Sequence, residues 1–273
     1  MSTPMDRLLA VMARLRHPET GCAWDLAQTA KSLAPHTLEE AYEVIDAIER
    51  NDAHALRDEL GDLLFQIVFY AEIAKDATPG AVQFGFDDIV EAITAKLVRR
   101  HPHVFSGAVH PKGAAQTQQW EDIKAAERAA TGAASSVLDD VPLALPALSR
   151  AVKLSRRAAR IGFDWPDAQG PLAKVHEELA ELAEARARGT DPEVAAELGD
   201  VLLAVANLAR HLQIDPESAL RGANQRFESR FRHVEQESAR TQRHDLTSLE
   251  SYWRAAKRRE TQAQSPNTAE ADR

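Results

Sequence analysis

The chain has 273 residues with 33 Lys or Arg and 42 Asp or Glu, a formal charge of −9; that length exceeds what one core usually fills, so about two domains of ~100 to 150 residues are expected. Its 44% hydrophobic and 27% charged content excludes extended disorder, and its acidic balance argues against a general polyanion surface, so no nucleic-acid partner is expected. A single cysteine, Cys22, excludes an intramolecular disulfide or a multi-cysteine metal site, and with no apolar run near ~18 residues and no signal-peptide core at the N-terminus, a cytoplasmic protein without a membrane partner is expected.

Gly is scarce, at 12 residues, and alternating β-branched or aromatic runs are few, which predicts a nearly all-helical chain. Residues 6–16 place Leu8, Leu9, Met12 and Leu15 on one helix face. An acidic stretch follows at residues 39–43, and residues 60–74 form a strongly apolar helix. His101-Pro102-His103 reads as a helix-ending turn packed by Val104 and Phe105. Segments 106–119 and 131–136 are poor in large apolar groups and flank a helix-like stretch at 120–128. The boundary is therefore expected near 131–137, giving a first module with its linker helix at 1–130 and a second at 137–260. Arg156, Arg157 and Arg160 read as a solvated helix face, and residues 198–212 echo the apolar helix at 60–74. The tail, 261–273, has no apolar face and is expected to be disordered.

The echo extends to a repeat. At one offset of 138, Glu39, Glu40, Glu43, Glu59, Leu60, Gly61 and Asp62 fall without a gap on Glu177, Glu178, Glu181, Glu197, Leu198, Gly199 and Asp200. Upstream of each copy stands Gly21-Cys22-Ala23-Trp24 or Gly162-Phe163-Asp164-Trp165; downstream, Lys96-Leu97 with Arg100 resembles Arg226-Phe227 with Arg230. Trp24 and Trp165 read as core or interface anchors.

Glu178 and Glu181 are i and i+3, as are Glu197 and Asp200, so each of two helices carries a carboxylate pair on one face. Between them, Gly189 and an Asp191 N-cap with Pro192 at the first helical position predict a stop and restart, and an antiparallel hairpin would face the pairs at each other. Gly199 omits a side chain where helices or a ligand approach closely. Four converging carboxylates repel unless cations neutralise them; an oxygen-only set selects a hard cation, Mg2+ or Mn2+ in its place. A di-iron bundle would need Glu-x-x-His, which does not occur. Mg2+ sites usually share substrate phosphates, and Lys174, one turn before Glu178, with Asn224, Arg226 and Arg230 on a later helix, supplies the polar and basic groups. In the first copy His36 stands at the place of Lys174, a weaker phosphate partner, which favours the second copy as the main site.

The duplicated E-E-x-x-E … E-x-x-D pattern, with GCAWDLAQT at 21–29, ELGDLLFQIVFYA at 59–71, RRHPHVF at 99–105 and IGFDW at 161–165, resembles the MazG nucleoside triphosphate pyrophosphohydrolases of the two-domain bacterial type over roughly residues 5–260. The resemblance implies an all-α fold of tandem helical modules forming four-helix-bundle cores on dimerisation, Mg2+ dependence, a homodimer, and hydrolysis of nucleoside triphosphates to monophosphate and pyrophosphate. It implies Glu178, Glu181, Glu197 and Asp200 as metal ligands, with a second metal set at Glu40, Glu43, Glu59 and Asp62. Lys174, Glu177, Arg226, Arg230 and Trp253 would contact nucleotide, beside Asn224 and the shared Glu178 and Asp200; Glu177 or Glu178 would take the proton of the attacking water. The alternatives are a non-catalytic helical module that binds nucleotide or protein, and a hydrolase of a related pyrophosphate ester such as a phosphoribosyl nucleotide.

Overall fold

A computed structural model of the chain describes residues 2–76, 82–106, 123, 127 and 136–264. All regular structure among the described residues is helical, and none of these helices is long and apolar enough to cross a membrane. The chain divides into two compact units, Met1–Glu127 and Arg128–Arg273.

In the first unit, α1 (Pro4–Leu15) is followed by α2 (Ala23–Ala27), α3 (Ala30–Glu49), α4 (Ala53–Lys75), α5 (Phe86–Arg100) and α6 (Pro102–Phe105). α3 and α4 form a hairpin, against which α1 and α5 pack through α4. Thr3 and Asp6 cap α1 reciprocally at 2.7 and 3.1 Å, with Pro4 at the first turn, where a missing N–H costs nothing. The hairpin closes through Asn51, held at φ 54°, a conformation that Asn tolerates. Asp52 then accepts from the N–H groups of His54 and Ala55 at 3.1 and 3.0 Å. Met12, Leu33, Val68 and Phe69 are the buried centre, with Leu8, Leu9 and Leu15 packed against them. The apolar stripe of residues 6–16 thus meets the hairpin as its spacing predicts.

The second unit holds α7 (Ala147–Ala159), α8 (Gln169–Arg188), α9 (Asp191–His211), α10 (Pro216–Thr241) and α11 (Leu246–Gln264). α8 and α9 form the matching hairpin, α10 pairs with α11, and α7 packs on both α9 and α10. Val201, Ala204, Ala206, Val234 and Ala256 are buried. Gly170 is required by close approach: a Cβ there would meet the Trp165 ring at 2.1 Å.

Several expectations need correction. The N-cap of α9 is Thr190, one residue earlier than Asp191; the Glu193 carboxylate accepts from the Thr190 N–H at 2.6 Å and from its hydroxyl at 3.0 Å. Asp191 opens the helix and Pro192 follows. Arg157 is not on a solvated face: it is 9% exposed and donates to the carbonyls of Val137 and Asp139, whereas Arg156 and Arg160 are exposed. Val104 and Phe105 are 62% and 59% exposed and so do not anchor the turn in the core, whereas His101 Nδ1 meets the Leu97 carbonyl at 2.7 Å. The first four residues of the tail, 261–264, are helical, since α11 runs on to Gln264; 265–273 lie outside the described residues. Residues 131–135 of the expected boundary and most of the stretch 120–128 also lie outside them; of that stretch Ile123 and Glu127 alone are described, both helical.

Candidate active site

The hairpins bring the predicted carboxylates together. In the second unit single oxygens of Glu178, Glu197 and Asp200 all lie within 4.8 Å of one another. Glu178 is buried, Glu197 half-buried and Asp200 exposed, so the group runs from the interior to the surface. The fourth expected ligand, Glu181, shares a hydrogen bond with Glu178, which pushes the Glu181 carboxyl up from the usual carboxylate range. Glu181 and Glu197 also line a cleft of about 410 Å³ together with Glu184, Arg188 and Glu193. Lys174 sits beside the group. Its ammonium reaches Glu177 at 2.6 Å and Glu178 at 2.7 Å; the Lys174 pKa rises, and the same contact holds Glu178 below its ordinary value.

In the first unit the matching set is Glu40, Glu43 and Glu59, again with one oxygen each within 4.8 Å of the others. Asp62, the fourth expected ligand, is near enough to act on both Glu40 and Glu59. Both of these are pushed up, first by partial burial, then by the charges of Asp62 and Glu43 on Glu40 and of Glu43 and Asp62 on Glu59. Repulsion of this kind is what a cation relieves. The donor set in both units is carboxylate oxygen alone, which fits a hard divalent cation such as Mg2+ and not a soft metal.

Gly61 and Gly199 face open space, with nothing within 4 Å of an added Cβ. Close approach of the two helices within the hairpin is therefore not what Gly199 serves.

The remaining expected residues gather elsewhere in the second unit. Arg230 on α10 lies over the Trp253 ring of α11, 5.8 Å from its centroid. Phe227 packs on the same ring with centroids 5.3 Å apart and stacks on Phe231 at 5.9 Å. Asn224 and Arg226 are exposed on α10. Among the described residues no hydrogen bond or ion pair joins this aromatic and basic cluster to the carboxylates, although α9 and α10 are in contact. Trp24 and Trp165, 54% and 41% exposed, are not core of their own units; Trp24 rests edge-on to His36 at 6.3 Å.

Two partners of the basic residues escaped the sequence reading. Glu260 accepts from Arg230, at 2.7 Å from Nε and 2.5 Å from Nη2. In the first unit Glu127 accepts from Arg100, with Nη2 at 2.6 Å, and from Arg99 at 2.7 Å, which holds the Glu127 carboxyl down at about 2. A signal existed: Trp120, Lys124 and Glu127 fall on Trp253, Lys257 and Glu260 at a common offset of 133.

Comparison with known proteins agrees with this arrangement. The MazG nucleotide pyrophosphohydrolase domain matches twice, at residues 28–105 and 168–235. An Escherichia coli K12 protein named nucleoside triphosphate pyrophosphohydrolase is 48% identical over 262 residues, spanning 94% of this chain and 98% of that protein. A Thermotoga maritima protein, named nucleoside triphosphate pyrophosphohydrolase/pyrophosphatase MazG, is 40% identical over 92% of this chain and 95% of its own length. YabN of Bacillus subtilis is 38% identical over 92% of this chain, which spans 51% of that longer protein. With two matched hairpins, each presenting its carboxylates at one point, and near full-length relatives, the chain belongs to the MazG nucleotide pyrophosphohydrolase family.

Proposed function

We infer that this protein is a nucleoside triphosphate pyrophosphohydrolase, cleaving at the α-phosphorus to release pyrophosphate and a nucleoside monophosphate. The observation that carries the reading is the convergence of Glu178, Glu197 and Asp200 beside the cationic Lys174, in a chain of this family. Glu178, Glu181, Glu197 and Asp200 would hold Mg2+, or Mn2+ in its place. When bound, such a cation supplies positive charge to phosphate oxygens and lowers the pKa of water.

The chain's own groups do the rest. Arg226 and Arg230, one turn apart on α10, present guanidinium donors to the polyphosphate and offset the charge of the departing pyrophosphate. Lys174 adds a third cation next to the carboxylates, Asn224 a neutral donor, and Trp253 an aromatic face for the base or sugar. Of the two carboxylates read as proton acceptors, Glu178 stands inside the converged group and Glu177 outside it. Glu177 therefore has oxygens to spare for the water's proton, with Lys174 fixing its position at 2.6 Å.

Glu40, Glu43, Glu59 and Asp62 form a second metal site of the same kind, in a module spanning 1–130, the main site lying in the module 137–260. The protein works in the cytoplasm as a homodimer; Leu60, Leu198, Leu202 and Leu203, all about half-exposed on the hairpins, and the exposed Trp24 and Trp165 support a partner that completes a four-helix core. Incubation with each nucleoside triphosphate and Mg2+ tests the activity: monophosphate and pyrophosphate are expected, with loss on chelation. Diphosphate plus phosphate, or no product, overturns it, and preferential cleavage of a related pyrophosphate ester such as a phosphoribosyl nucleotide redirects it to that substrate class.

A further inference from the structure

The two glutamates that hold arginines occupy the same place in both repeats, and their geometry is informative. Glu260 uses one oxygen, Oε2, to accept from both Nε and Nη2 of Arg230. A guanidinium has five N–H groups in a planar fork. With that edge engaged, the Nη1 edge remains for an external anion. Arg230 and Glu260 side chains are 23% and 26% exposed, so the pair is screened less than a surface pair. The same guanidinium lies over Trp253, the residue seven positions before Glu260 on α11. The pair thus ties the helix that carries the phosphate-facing arginines to the helix that carries the aromatic face. In the first unit Glu127 makes the corresponding tie to Arg100 and adds Arg99, where the second unit has Ser229.

We propose that Glu260 is a positioning residue, holding Arg230 by its Nε–Nη2 edge so that the opposite edge meets the triphosphate at a fixed distance from Trp253, and that Glu127 does the same for Arg100. An arginine with four rotatable side-chain bonds loses affinity when it must be ordered during binding, and a carboxylate that orders it beforehand removes that loss. The proposal rests on the reading of Arg230 as a substrate contact, so the test separates the two. Steady-state constants with nucleoside triphosphate and Mg2+ are measured for wild type, Glu260→Gln, Glu260→Asp, Arg230→Ala and the double variant Arg230→Ala/Glu260→Gln, with folding checked by circular dichroism.

Glu260→Gln should raise KM by about five- to tenfold with kcat within about twofold, because ordering is uniform binding and not transition-state chemistry. Glu260→Asp, which keeps the charge, should recover most of the loss. In the Arg230→Ala background, Glu260→Gln should add nothing. Unchanged KM in Glu260→Gln beside a raised KM in Arg230→Ala overturns the positioning role and leaves the substrate contact standing. A lowered KM in Glu260→Gln overturns it too, since the carboxylate would then be competing with phosphate. If Arg230→Ala itself changes nothing, the substrate contact fails and the proposal with it.

Discussion

In the second unit Lys174 lies between Glu177 and Glu178 at 2.6 and 2.7 Å. In the first, His36 stands at that place and reaches Glu39 at 3.5 Å. The carboxylates around them are otherwise the same five, in the same register. The consequence is electrostatic: Lys174 holds Glu178 below its ordinary value, while Glu40 and Glu59 are pushed up, first by burial and then by neighbouring carboxylates, Asp62 and Glu43 foremost. Lys174 places a fixed positive charge beside the converged carboxylates where the first unit has an imidazole. The difference teaches how duplicated sites diverge without losing a carboxylate, through the residue that sets the charge next to them.

The largest effect expected from this contrast is on turnover. Glu178→Gln should lower kcat by ~10²-fold or more, as removal of a charged group from a metal-assisted site does, whereas Glu40→Gln should change total activity by less than about threefold. Equal losses, measured as pyrophosphate release, would make the two sites equivalent. An exchange at the differing residue sharpens the point. Lys174→His should lower kcat/KM about tenfold, as loss of a charge-assisted contact does; His36→Lys, placed in a Glu178→Gln background, should restore measurable turnover in the first unit. No gain there would locate the difference elsewhere.

Stability offers a third contrast, since the buried centre of the first unit is built around Phe69, which is fully buried. Phe69→Ala should destabilise that unit by ~3–5 kcal/mol, shifting one transition in a thermal melt and leaving the other in place. The smallest effect concerns pH. Asp164 accepts from Arg210 Nη1 at 2.9 Å and faces His211 Nε2 at 2.9 Å, and the Arg210 contact above all holds its carboxyl below the ordinary range despite partial burial. Because the native value lies below the unfolded one, the contribution to stability is complete above about pH 3.9 and is lost as pH falls through the native value. Ala23 holds the corresponding place in the first unit. Acid titration should therefore remove a contribution to the second unit that has no counterpart at this place in the first, and Asp164→Asn should flatten that part of its pH profile, read by circular dichroism.

The carboxylate hairpins were legible because helical periodicity turns an i, i+3 spacing directly into a shared face, and because the turn residues between them stop one helix and start another. Thr190 and Asp191 show the limit: both are good caps, and the choice depends on which one Glu193 can reach. Arg157 is buried because the chain at 137–139 folds back over α7 and offers two carbonyls, a tertiary event with no local pattern. The Arg230–Glu260 pair spans 30 residues and two helices, so its register depends on how α10 meets α11; comparison of the repeats at a second offset would have pointed to it.

The turn between α8 and α9 has two residues, Gly189 and Thr190. On one side the Gly189 N–H is tied to the Ala185 carbonyl at 2.6 Å; on the other, Thr190 is tied to Glu193. With both ends fastened, the turn acts as a phase setter: each residue added would rotate α9 by about 100° relative to α8, and Glu197 and Asp200 would swing away from Glu178. The repeat carries the imprint of this constraint. Its offset is 141 at the Gly-to-Trp segment, 138 through the hairpin, 130 at the arginines and 133 at the last helix. Length has drifted at the three joints between these segments and not at the one that keeps the carboxylates in step.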